Sequence, residues 1–167
     1  QALDGLRARV QVKDLRDDKK IFGPTAANDF KQFNDRYHLA WTEADKERLS
    51  VGETDLQGLF QEAFEKRLEL LGVEIAPYTD DDAPQFQILL NTMKIDLKER
   101  KWMVQASYEA NLSMDNQLVA RQIISGSAER VKIVGRKGAD TTLSEIFTDV
   151  INKLDIVKLF RQAKWVR

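Results

Sequence analysis

The chain has no cysteine, a single histidine (His38), three prolines and almost no imbalance of charge. Without cysteine there are no disulfides and no thiolate metal sites, although that absence fits the cytosol and an unbridged periplasmic domain equally. His38 has no Ser or Cys partner pattern around it and no second imidazole to share a metal, so it is not read as catalytic. The 26 basic and 27 acidic residues leave a net charge of −1. Such a balance carries no electrostatic footprint for phosphate backbones or an anionic membrane surface, so nucleic acid is not an expected partner. No apolar run approaches the ~18–20 residues that span a bilayer.

What is present has the composition of an ordinary globular protein, 43% hydrophobic and 32% charged, and residues 1–167 read as one domain with a real core. The most informative stretch is Trp102 to Met114. Trp102, Val104, Ala106, Tyr108, Ala110, Leu112 and Met114 alternate with Met103, Gln105, Ser107, Glu109, Asn111 and Ser113. Strand side chains alternate between faces, so this is one strand with a single greasy face, roughly 40 Å long at ~3.3 Å per residue. Asp115-Asn116 follows, a pair suited to the positive φ of a tight hairpin. Leu118 to Ile124 returns as its partner strand, and Ser125 to Lys137 reads as a charged edge segment with a short strand at 131–134.

Upstream, Arg7 to Val12 alternates briefly as a first strand, and Gly23-Pro24 closes the charged segment behind it. Residues 25–53 hold no period. They read as an irregular excursion with a helical turn over 43–49, pinned to the domain by Phe30, Phe33, Tyr37, His38 and Trp41. Thr54 or Asp55 caps a first helix whose stripe is Leu56, Leu59, Phe60, Ala63, Phe64, Leu68 and Leu71, with Gly72 at the left-handed C-terminal position. Phe86 to Leu97 is a second long strand that changes parity: Phe86, Ile88 and Leu90 share one face, and Met93, Ile95 and Leu97 the other. Either both faces are partly covered or a bulge near Asn91-Thr92 shifts the register. The last helix is expected to start at Thr141 or Thr142 with a capping box to Glu145 and to run to about Phe160.

These segments predict an α+β fold in the order β-α-β-β-β-α. It has an antiparallel sheet of about four strands and two amphipathic helices on one face, burying Trp102, Val104, Tyr108 and Leu112. No nucleophile and base, metal-ligand set or phosphate loop has workable spacing. Asp80-Asp81-Asp82 lacks the spacing and glycine of a calcium loop, and Gly135-Arg136-Lys137-Gly138 lacks that of a phosphate loop. The expectation is no catalysis, no cofactor and no metal. The candidate interaction surface is the polar face of the long strand, with Met103, Gln105, Ser107 and Glu109, to which the neighbouring strand adds Met93 and Ile95.

In order along the chain, several motifs resemble a known family. Val10-x-Val12-x-Asp14-x-Arg16, then Lys19-Lys20 and Gly23, resembles the opening strand of YajG-type lipoproteins and related ABC-transport auxiliary lipoproteins. Leu56-x-x-Leu59-Phe60-x-x-Ala63-Phe64 with Leu70-Leu71-Gly72 resembles their first helix. The long hairpin, Ser125-Gly126-Ser127 and the helix from Leu143 to Leu154 complete a likeness over roughly residues 8–160, with the 25–53 segment longer than in the family. The resemblance implies a non-catalytic, periplasm-facing lipoprotein, tethered to a bacterial membrane only through an N-terminal lipid anchor. Its implied role is envelope maintenance or lipid transport, with an envelope protein or lipid as partner and a homo-oligomer as one arrangement. The lipopolysaccharide-assembly lipoprotein has a similar plan, which makes lipopolysaccharide transport a close variant. A chain opening at Gln1 is what a removed signal, or a lipid-bearing cysteine lost ahead of it, would leave, and a trimmed cytosolic chain would look the same. The competing reading is a soluble ligand-binding or enzymatic α+β domain with its pocket under residues 25–53.

Overall fold

The computed structural model describes residues 1–41, 49–131 and 138–165. In chain order these form β1 (Arg7–Asp14), a 3-10 turn (Lys31–Phe33), β2 (Tyr37–Trp41), β3 (Leu49–Thr54), α1 (Leu56–Leu70) and β4 (Glu74–Ile75). Then come β5 (Gln85–Lys98), β6 (Lys101–Met114), β7 (Gln117–Val131), α2 (Gly138–Asn152) and α3 (Ile156–Gln162). The architecture is α+β, as the periodicities require. The main sheet has five strands in the order β4-β1-β5-β6-β7, and β2 pairs with β3 in a separate ribbon.

Three differences from the sequence expectation have physical causes. The sheet is mixed, because α1 carries the chain across it and brings β4 back parallel to β1, while β1 also lies parallel to β5. Residues 25–53 are less irregular than expected, since Tyr37 to Trp41 and Leu49 to Thr54 form a hairpin. The expected helical turn over 43–49 lies outside the described residues except for Leu49, which is in strand. Finally, α2 begins at Gly138, so Thr142 and Glu145 sit within the helix and are not its capping box. It ends at Asn152, because Asp155 starts a separate helix by accepting the Lys158 amide at 2.9 Å.

The meander β5-β6-β7 is the spine. Both of its hairpins turn on two residues with positive φ, Glu99-Arg100 and Asp115-Asn116. The register of β5 on β6 slips between Leu90 and Thr92. That bulge returns both halves of β5 to the same side, so Met93 and Ile95 are buried with Phe86, Ile88 and Leu90. β7 runs on through Ser125 to Val131, well past the expected end, and residues 132–134 of the expected short strand lie outside the described set.

One face of this spine is dry. Beneath it α1 presents Leu59, Phe60, Ala63, Phe64 and Leu68, and α2 presents Leu143, Ile146, Phe147, Val150 and Ile151. Trp102, Val104, Tyr108 and Leu112 are all buried there, as the alternation requires. Tyr108 sits between the helices, 6.2 Å from Phe60 and 5.8 Å from Phe64, and its hydroxyl donates to the Val150 carbonyl at 2.9 Å. From α1, the half-buried Arg67 guanidinium donates to the Ile151 and Leu154 carbonyls at 2.7 and 3.0 Å. The Ile151 oxygen is one of the orphans of the α2 C-terminus and Leu154 lies just past it, so the cation meets the negative end of the helix dipole.

Candidate interaction face

The other face of the sheet is wet, and the described part of residues 25–53 reaches it only at the rim, where Thr25 and Ala26 bond Asp96. The excursion instead packs on the dry side: Phe30 stacks on Phe22 at 4.4 Å, lies 4.8 Å from Trp102, and Tyr37 meets Phe147 edge-on at 5.6 Å. Those rings pin the segment to the core, while His38 is exposed on β2.

Register defines the wet face. From β6 it carries Met103, Gln105, Ser107, Glu109, Asn111 and Ser113, opposite Asp96, Lys94, Thr92, Leu89, Gln87 and Gln85 of β5. Gln105 is exposed, and Met103, Ser107 and Glu109 are half-buried. Met93 does not belong with them. It pairs with Ala106 on the dry face and is fully buried, and Ile95 likewise pairs with Val104, because the extra residue at Asn91 inverts the parity of everything after it. The Met93 and Ile95 part of the expected surface is therefore corrected. The signal was in the sequence as the parity change itself, which fits one bulge as well as two half-covered faces.

Side chains on this face are already tied to one another. Gln11 accepts from Gln85 and Gln87 at 3.0 and 2.9 Å. Arg121 bridges Glu109 at 2.9 Å, and the buried Asn111 donates to the same carboxylate at 2.9 Å. Lys94 pairs with Asp18, whose carboxyl that contact holds below its ordinary value. Asp96 accepts from the Thr25 hydroxyl at 2.6 Å and from the Ala26 and Leu97 amides at 3.1 and 2.8 Å; these bonds, Thr25 foremost, also lower its carboxyl. A face so arranged is preorganised, with apolar spots at Leu89, Met103 and Ile123.

Among the concavities that lie elsewhere on the described residues are a charged cleft and a groove beside α2. The cleft, of about 280 Å³, is lined by Asp14, Arg16, Asp35, Tyr37, Asp55 and Gln57 among others, at the rim of the excursion. Its buried Arg16 forks onto Asp14 with bonds of 2.8 and 2.7 Å. Burial alone would raise the Asp14 carboxyl, but Arg16, with Lys19 beside it, outweighs that and holds it low. Burial, then the Asp35 carboxylate, pushes the Tyr37 phenol well above its usual value. The second is a groove of about 330 Å³ between β6, β7 and α2, floored by Val104, Ala106, Ala128, Ile146 and Val150. Sequence reading missed it, because the floor is drawn from core stripes that a fully covering helix would have hidden. The acidic turn is answered by arginines, Asp80 by Arg7 at 3.1 Å and Asp81 by Arg9 at 3.2 Å. Among the described residues no group of acidic or histidine side chains is placed to hold a metal ion.

Fold and face together define a two-layer α+β domain with helices on one side of a mixed sheet and the other side open. A protein from Xanthomonas campestris of the DUF330 family shares that fold, with a TM-score of 0.50 and 11% identity over 99% of this chain and 92% of the other. Rare lipoprotein B from Shewanella oneidensis aligns with a TM-score of 0.42 and 11% identity over 90% of this chain and 89% of that one. No family model and no curated protein matches the sequence.

Proposed function

We propose that this chain is the non-catalytic domain of a periplasm-facing envelope lipoprotein, and that it works by holding an envelope protein against the open face of its sheet. The single observation that carries the reading is that face: a preformed, mostly polar surface of four strands, left open by the described segments except at its Asp96 rim, with apolar spots at Met103 and Ile123. Non-obligate interfaces have this mixed character, about as apolar as ordinary surface. The order of motifs resembling the ABC-transport auxiliary lipoproteins supports the envelope setting, with membrane attachment through a lipid anchor. No described helix is long and apolar enough to cross a membrane.

The charged cleft favours the second reading, a ligand-binding or enzymatic domain with its pocket at the excursion. Against it, the cleft's cation and carboxylate already satisfy each other through the Arg16–Asp14 fork. The deciding experiment places a photo-reactive residue at Gln105, or at Gln57 in the cleft, in cells expressing the full gene product. The expected result is a protein adduct from Gln105 that Met103→Lys abolishes without changing the circular dichroism spectrum. Adducts from Gln57 and none from Gln105 would move the function to the cleft. A lipid adduct at Gln105 would replace the protein partner with a lipid.

A further inference from the structure

We propose that the free edge of β7 is a docking strand for a second copy of this chain, paired antiparallel about a two-fold axis at Ser125. β7 ends the sheet, and among the described residues its backbone hydrogen bonds lead only to β6. Proteins usually blunt such an edge with short strands, proline or bulges. Here the strand runs 15 residues without proline, and its one register slip lies near Leu118-Val119, away from the centre. The opposite edge of the sheet is the two-residue β4. Among the described residues, four of the six large exposed hydrophobics sit on the β6–β7 hairpin: Met114, Leu118, Val119 and Ile123, the last 68% exposed. Ser125, Gly126, Ser127 and Ala128 are small on both faces, so a neighbouring strand can approach closely.

Charge selects both the occupant and the register. With the axis at Ser125, residue pairs sum to 250, so Arg121 faces the second copy's Glu129 and Glu129 faces the second copy's Arg121. Within one copy Arg121 already bridges Glu109 at 2.9 Å and Glu129 bridges Lys101 at 3.3 Å. The seam therefore joins Lys101, Glu129, the second copy's Arg121 and the second copy's Glu109 in one row of alternating sign, and the two-fold repeats it. Opposite charges across antiparallel strands are favourable and like charges are not. Moving the axis one residue, to Ile124 or Gly126, sets Glu129 against Val119 or Ile123 and loses both pairings. On the dry side the same register puts the second copy's Ile124 opposite Gly126, which borders the groove beneath the Lys153 side chain. Main-chain bonds along an added strand supply affinity, and the side-chain row supplies specificity.

The test uses the whole chain. Analytical ultracentrifugation should show a concentration-dependent dimer. Because residues 1–167 hold no cysteine, Ser125→Cys introduces a single thiol there that meets its own copy across the axis, at the ~4.5–5.5 Å between Cβ atoms of facing residues. Mild oxidation should give covalent dimer from Ser125→Cys and little from Ser127→Cys, whose neighbour is Ile123 of the second copy. Arg121→Glu should weaken dimerisation about tenfold or more, and adding Glu129→Arg should restore it. A monomer at every concentration, equal cross-linking from both thiols, or a dimer indifferent to Arg121→Glu would each overturn the proposal. Circular dichroism on each variant separates loss of pairing from loss of fold, and the restored double variant does so independently.

Discussion

The two faces of the β5-β6-β7 meander share one backbone but are held by different forces. On the dry face Tyr108, Phe64 and Phe147 are enclosed by two helices; among the polar groups admitted there, the Tyr108 hydroxyl is spent on the Val150 carbonyl and the Arg67 guanidinium on those of Ile151 and Leu154. On the wet face the contacts are between side chains in reach of water, such as Gln11 with Gln87 and Arg121 with Glu109. Burial stabilises by ~25 cal/mol per Å² of apolar surface, whereas an exposed ion pair contributes ~0–1 kcal/mol. The dry face should therefore set stability and the wet face should be available for recognition.

The sharpest way to break that comparison is Tyr108→Ala. It should cost about 3–5 kcal/mol, read as a lower denaturant midpoint at unchanged slope, through lost packing and a cavity between α1 and α2. A loss under about 1 kcal/mol would mean the helices do not enclose the ring. Arg67→Met should follow at about 2 kcal/mol, since it leaves the Ile151 and Leu154 carbonyls without their charged donor. Tyr108→Phe removes only the hydroxyl, with its bonds to the Val150 and Ile151 carbonyls, and should cost about 1 kcal/mol. Arg121→Gln on the wet face should change stability by less than about 1 kcal/mol, and high salt should erase the difference.

The smallest effect is electrostatic and appears only in acid. The Asp96 carboxyl lies below its unfolded value, so the stability it contributes is fully present above about pH 4 and is lost as the pH falls through the folded value. Asp96→Asn should flatten that acid limb in pH-dependent denaturation curves and leave neutral behaviour nearly intact. An unchanged limb would show that its bonds to Thr25 and Ala26 do not persist in solution.

How much of this was legible in the sequence depended on how local each signal was. The strand from 102 to 114, its Asp115-Asn116 turn and the Asp55 cap, whose carboxylate accepts the Gly58 amide at 2.8 Å, rest on neighbours a few residues away. The parallel pairing of β1 with β5 rests on a partner far along the chain, and nothing in Arg7 to Val12 states a direction. Met93 was misplaced because a bulge changes parity without changing composition. The hairpin of Tyr37 to Trp41 with Leu49 to Thr54 was hidden by its shortness, two runs below the length at which alternation stands out from a loop. For the candidate face, Met103, Gln105, Ser107 and Glu109 followed from alternation, but the groove over Gly126 did not, because it depends on how far α2 reaches across the sheet.

The position of β1 also governs time. The β5-β6 and β6-β7 hairpins close over two-residue turns, whereas Asp14 must find Leu90 across the whole span of the excursion and α1. Loop closure is slower and entropically dearer over such distances, so the meander forms early and the first strand of the chain docks late. Substitutions that weaken the β1–β5 ladder should then accelerate unfolding while barely slowing refolding, and β1 should be synthesised before β5 yet find its place after it.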